Sequence, residues 1–236
     1  MEPLIRSVGE AAVLAVFGDA ISPDTQRRIE AVQHYTESHP FPGYIESIVS
    51  YTGFTIYYDP WEVAKSAPGK RPSEVMQALL REYCARADAM EPLPKRHISI
   101  PVCYGGEYGP DLSFVARYHH MTEEEVIAIH TAPEYLVYMI GFCPGFPYMG
   151  GMAPRIATPR RQNPRLVIPA GSIGIAGEQT GGYPIATPGG WQLIGQTPVP
   201  MFRPDDPEEP TLLRAGDLVR FTAISEEEYR SMEENQ

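Results

Sequence analysis

The sequence predicts an α+β protein in two parts, an N-terminal α/β domain followed by a β-barrel domain, and three observations carry this. Cap signals and apolar runs up to residue 102 fall in the order β-α-β-β-α-β, the ferredoxin-like arrangement. The stretch AMEPLPK at 89–95 reads as a linker. Beyond it the texture changes to short apolar runs punctuated by Gly-Gly pairs at 105–106, 150–151, 181–182 and 189–190, as in closely turned strands. The limits read this way are 1–95, 96–225 and an acidic tail at 226–236.

Residues 12–17 are apolar and partly β-branched, as in a buried strand, and Ser22-Pro23-Asp24 then supplies a cap and a first-turn proline for a helix running to about residue 38. Runs at 45–50 and 54–58 flank Thr52-Gly53 and read as a hairpin closed by Pro60. Ser73 is read as the cap of a second helix, with Val75, Met76, Leu79, Leu80 and Tyr83 forming one apolar stripe. The strand at 97–102 either completes this set or opens the next domain. Farther on, Thr122-x-x-Glu125 is a capping box that opens a helix ending before Pro133. The acidic tail is read as a frayed helix or disordered.

A formal net charge of -11 excludes general affinity for nucleic acid or an anionic membrane, since both need a basic face. Three cysteines without a C-x-x-C pair suggest neither a disulfide framework nor a zinc site, and a reducing compartment fits them. With no signal-peptide pattern and no long apolar run, the cytoplasm is expected. His119-His120 lacks a carboxylate or thiol at ligand spacing, so no metal is predicted. Walker, nucleophile-elbow, zincin and Rossmann motifs are all missing.

Against this acidic background Arg155, Arg160, Arg161 and Arg165 crowd a segment stiffened by Pro154, Pro159 and Pro164. Guanidinium groups on a stiff loop suit bidentate binding of carboxylate or phosphate, although each can equally serve in an ion pair. His130 lies near the C-terminal end of the capped helix, where the dipole favours the protonated form; capping, core packing and acid/base work are all open to it. Phe142, Phe146, Tyr148 and Trp191, on Gly/Pro-rich turns, are read as lining a groove or as core. Gln179, Thr180 and Tyr183 offer amide, hydroxyl and phenol groups suited to an amide substrate.

The ordered strings GFCPGFPYMGGM (141–152), PRRQNPR (159–165), VIPAGSIGIAGEQTGGYP (167–184), TPGGWQLIGQTP (187–198) and LLRAGDLVRF (212–221) closely resemble the allophanate hydrolase subunit 1 family. The likeness extends to VGEAAVLAVFG (8–18) and PVCYGGEYGPDL (101–112). That family includes the B subunit of bacterial 5-oxoprolinase and the sporulation kinase inhibitor KipI.

The resemblance implies a cyclophilin-like barrel, and conversion of 5-oxoproline to glutamate with ATP and water by a complex whose ATP site is not assigned. It implies a carboxyltransferase-like partner, as in KipA or the C subunit of 5-oxoprolinase, and a third component of the LamB/YcsF type, the A subunit. Against that reaction, His130, Arg160, Arg161 and Arg165 are the candidates for catalysis, and Tyr148, Gln179, Thr180 and Tyr183 for substrate contact. The alternative the resemblance carries is a KipI-type inhibitor of a sensor histidine kinase, docking its target in a groove at Phe142, Phe146 and Trp191. A urea or allophanate enzyme component ranks last.

Overall fold

The computed structural model describes residues 2–235, and the chain divides into two compact units, Met1–Pro94 and Lys95–Gln236. No helix among the described residues is long and apolar enough to cross a membrane.

In the first unit β1 (Leu4–Ser7), β2 (Ala12–Val16), β3 (Tyr44–Val49) and β4 (Gly53–Tyr58) form an antiparallel sheet in the order β1-β2-β4-β3. Helix α1 (Pro23–Ser38) begins at its sequence signal, with Ser22 Oγ accepting from Thr25 N at 3.1 Å. Ile29 and Val32 of α1 and Met76, Leu80 and Cys84 of α3 (Pro72–Ala87) share one core with Val13, Ala15, Phe54 and Ile56 of the sheet. Each fully buried large apolar side chain contributes about 1.5–3 kcal/mol relative to exposure.

Two local expectations are corrected in this unit, and one left open is decided. The strand at 97–102 pairs in the second unit, while this sheet gains β1 at an edge, paired locally with β2. Pro60 opens a short helix, α2 (Pro60–Ser66), because Asp59 Oδ1 accepts from Trp61 N and Glu62 N at 2.8 and 3.3 Å. Ser73 does not cap α3: Pro72 takes the first helical position, Arg71 becomes the cap residue, and it makes no side-chain capping bond.

The second unit is a closed seven-stranded barrel. Its strands are β5 (His97–Tyr104), β6 (Tyr135–Ile140), β7 (Pro147–Gly150), β9 (Ser172–Ala176), β10 (Gln179–Gly182), β12 (Gln192–Gln196) and β13 (Leu218–Ile224), in the order β10-β7-β6-β13-β5-β12-β9. Closure leaves no edge to protect. The parallel β5–β13 pair runs from Leu218↔His97 to Ile224↔Cys103, which is why the 97–102 strand belongs here. A separate ribbon pairs β8 (Arg165–Ile168) with β11 (Thr187–Gly189).

Helix α5 (Glu123–Thr131) carries the capping box, with Thr122 and Glu125 exchanging bonds of 3.2 and 2.8 Å. A helix the sequence reading did not place, α4 (Leu112–Tyr118), precedes it. The acidic tail forms α6 (Glu226–Glu234), capped by Ser225 and anchored by buried Tyr229. Gly109 lets the chain before α4 lie directly on β12, since a Cβ there would sit 2.0 Å from the Ile194 carbonyl oxygen. That contact sets Asp111 N to donate to Leu193 O at 2.8 Å.

His130 lies wholly inside the barrel and is stacked on Phe221 at 4.7 Å. Thr180 Oγ1 donates to Gly174 O at 3.0 Å, so it accepts from His130 Nε2 at 2.9 Å; His130 Nδ1 then accepts from Tyr104 Oη at 2.8 Å. This assignment makes the imidazole neutral with its proton on Nε2. The protonated form expected from the helix dipole is therefore corrected: burial pushes His130 down from 6.5 to about 3.

Two outcomes follow from this packing. Gly109→Ala should destabilise the protein by about 1–3 kcal/mol or more, because the obstacle is backbone; chemical denaturation of the variant measures it. An unfolded His130 protonates below its ordinary value, while the folded one stays neutral down to about 3. Its contribution is thus fully present above pH ~6.5 and is lost as pH falls, at up to ~1.4 kcal/mol per pH unit. Urea unfolding between pH 7.5 and 4 should show a shallower loss in His130→Gln than in wild type; parallel slopes would contradict the assignment.

Candidate functional site

The arginine-rich segment folds against a single buried carboxylate. Asp111 sits at the start of α4, where Oδ1 accepts from Arg161 Nη1 at 2.8 Å and from Arg165 Nη2 at 2.9 Å. Its Oδ2 accepts from Arg165 Nη1 and from Leu193 N, both at 2.7 Å. Arg165 is thus held in a two-pronged pair, which fixes its orientation as well as its charge. Arg161 gives Asp111 one N–H, and its Nε is buried without an acceptor. The loop is further anchored by Arg161 N donating to Gly190 O at 2.7 Å and Gln192 Nε2 donating to Pro159 O at 2.9 Å.

This arrangement walls a cleft of about 560 Å³ between α4 and residues 159–163. Arg160 and Arg161 line it together with Gln162, Asn163, Gln192 and the rings of Phe114 and Tyr118. Arg160 is exposed and has no carboxylate partner among the described residues. Two guanidiniums pair with one carboxylate whose oxygens already accept four bonds, and Arg160 adds a third positive charge to the lining, so the cleft is left with a positive excess. Such an excess attracts negative charge. Arg155 does not line it.

The other sequence candidates lie elsewhere. His130 and Thr180 belong to the buried polar chain of the barrel interior, away from the residues that line this cleft. Phe146, Tyr183 and Trp191 pack edge to face, with centroids 5.3, 5.4 and 6.4 Å apart, in a satellite core with Ile168 and Leu193. The expected open groove is therefore closed by its own rings; three mutually perpendicular faces bury more apolar area than a groove wall would. Burial raises the Tyr183 phenol to about 12, opposed by the Trp191 backbone hydrogen bond and the Arg160 charge.

Tyr148 and Gln179 are half-buried, Tyr148 against Phe146 at 5.0 Å and Gln179 opposite Ala176 at the β9–β10 turn. Phe142 alone of the groove set stays open, at 62% exposure. Its φ of 67° and a 2.8 Å bond from Cys143 N to Gly141 O mark a tight, strained three-residue turn.

Sequence reasoning missed Asp111, Phe114 and Tyr118. The available signals were an acid ahead of an apolar run in GPDLSF and two aromatics at helical spacing, none of which points to a site without the fold. Among the described residues no group of three His, Cys, Asp or Glu side chains is placed to hold a metal.

The chain as a whole is similar to known proteins. Residues 3–213 match the carboxyltransferase domain, subdomain C and D. The B subunit of 5-oxoprolinase from Bacillus subtilis (strain 168) is 50% identical over 232 residues, covering 98% of this chain and 96% of that protein. The solved structure of TTHA0988 superposes with a TM-score of 0.76 at 33% identity, over 94% of this chain and 40% of that one. The Kluyveromyces lactis urea carboxylase shares the fold, with a TM-score of 0.73 at 20% identity over 99% of this chain and 23% of its own. This chain therefore spans well under half the length of those two solved proteins. With nearly its whole length matched, the chain belongs to the carboxyltransferase subdomain C and D family, alongside the 5-oxoprolinase B subunits.

Proposed function

We propose that this chain is the B subunit of an ATP-hydrolysing 5-oxoprolinase that opens 5-oxo-L-proline to L-glutamate and is inactive alone. One observation carries the reading: a chain matched end to end by such a protein presents a preorganised cleft with Arg160 and the free edge of Arg161 toward an anion. Both reactants are anions, the lactam through its carboxylate and ATP through its phosphates. The lactam carbonyl is a poor electrophile. Phosphoryl transfer to its oxygen turns the carbonyl carbon into one that water attacks; the C–N bond then opens to leave an acyl phosphate with the amine protonated, and a second water displaces phosphate to give the carboxylate. Negative charge moves during that transfer, and fixed guanidiniums stabilise it without reorganising.

In this reading Arg160 and Arg161 contact the anion. Arg165, whose two terminal nitrogens are engaged by Asp111, positions the loop. Backbone stiffened by Pro159 and Pro164 keeps the ordering cost low before binding. The partners are the carboxyltransferase-like C subunit and the LamB/YcsF-type A subunit, and the second half of the site comes from them.

The test is co-expression with those two partners and measurement of ATP-dependent glutamate formation from 5-oxoproline. Arg160→Ala and Arg161→Ala should each lower kcat/KM about ten- to a hundredfold, the scale of one charge-assisted contact. Normal turnover in both variants, or no glutamate from the full set, overturns the proposal. Asp111→Ala should also lose stability, by about 3 kcal/mol, the low end for a broken buried pair because both guanidiniums keep some water. Its denaturation midpoint in the isolated chain reports this separately from activity.

A further inference from the structure

The two walls of the cleft differ in chemistry. On α4, Leu112, Val115 and Ala116 are buried in the barrel core, while Phe114 and Tyr118 are 42% and 51% exposed. The two rings sit one helical turn apart on the same face, with centroids 6.0 Å apart and planes tilted by 34°. Packing does not require them there, and exposing flat apolar surface in a cleft is unfavourable unless something covers it. The facing loop supplies Arg160 and Arg161, with the side-chain amides of Gln162 and Asn163 beside them. Amides offer donors and acceptors together, as the edge of a heterocyclic base requires.

Size separates the possible occupants. A cleft of about 560 Å³ is much larger than a five-membered lactam acid, and falls within the ~300–1,000 Å³ typical of sites for larger ligands. A small carboxylate or a lone phosphate would use the arginines and leave the rings uncovered. A ligand with a flat aromatic part and several negative charges uses both walls. Asp111, the one carboxylate lining the cleft, does not repel it, because Arg161, Arg165 and Leu193 N already saturate its oxygens.

We infer that this cleft is the purine-nucleotide site of the complex, taking the base against Phe114 and Tyr118 and the phosphates against Arg160 and Arg161. The inference rests on the oxoprolinase reading for the choice of a nucleoside triphosphate among flat polyanions, and it locates that reactant on this chain.

The probe is an ATP analogue with a fluorescent group on the ribose, titrated into the full-length chain and followed by anisotropy. Binding should saturate and be displaced by ATP but not by 5-oxoproline. Phe114→Ala and Tyr118→Ala should each weaken it about tenfold, the scale of one base–aromatic stack. Inorganic triphosphate, which has no base, should compete equally well with both variants and with wild type; Arg160→Ala should weaken all three ligands. These side chains are exposed, so thermal melts of the variants should match wild type. Analogue binding unchanged in Phe114→Ala and Tyr118→Ala, or no binding by either the chain or the assembled complex, overturns the inference. The two readings fail separately. Glutamate formation with an unmoved KM for ATP in Tyr118→Ala removes the nucleotide site and keeps the oxoprolinase, whereas analogue binding lost in the variants, with no glutamate from the wild-type set, does the reverse.

Discussion

The four hydrogen bonds received by Asp111 join three segments that are distant in sequence: the turn before α4, the 161–165 stretch and β12. A carboxylate taken out of water costs several kcal/mol unless its lone pairs are met, and here both oxygens are met twice. The geometry depends on what surrounds it. Gly109 allows the close approach to β12, and the prolines of the 154–164 stretch limit how the loop can wander. Proline stiffens a loop without anchoring it; the ion pairs supply the anchor. As a result Arg160 is held at the cleft with no carboxylate partner among the described residues.

The barrel interior solves the opposite problem. Tyr104, His130, Thr180 and the Gly174 carbonyl form a line in which every donor meets an acceptor only while the imidazole is neutral. Magnitudes decide this. A helix C-terminus favours a cation by about 0.3–2 kcal/mol, whereas a fall from 6.5 to about 3 corresponds to roughly 4–5 kcal/mol against it. Burial wins. The molecule thereby separates a neutral polar chain, which fixes α5 to the barrel, from charged groups at the rim, where water and ligands reach them.

What the sequence disclosed and what it concealed follow the same division between local and distant causes. Helix α1, the hairpin of β3 and β4, and the capped start of α5 were legible because caps, turns and periodicity act within a few residues. The parallel pairing of β5 with β13 was not, since its partner lies more than a hundred residues on. Helix α4 is short and its cap residue directs its carboxylate elsewhere, so the usual start signal is silent. Arginine clustering did mark the loop. That Arg165 is committed to Asp111, 54 positions earlier, could not be read from composition. Tyr183 and Thr180 had suitable functional groups, but chemistry on a side chain says nothing about whether solvent reaches it, and here it does not.

The residues that line the cleft suit binding more than proton transfer. They are guanidiniums, amides, a proline, two aromatic rings and one carboxylate. The carboxylate is saturated with donors, and Gln192 is tied to the Pro159 carbonyl. Apart from the Tyr118 phenol, then, the lining holds groups that bind and orient, and none is placed to take a proton from an attacking water. Ring opening needs such a proton acceptor close to the lactam carbon. Such a lining supplies binding and orientation, not general-base chemistry. TTHA0988 and the urea carboxylase contain this fold as a minor part of a longer chain.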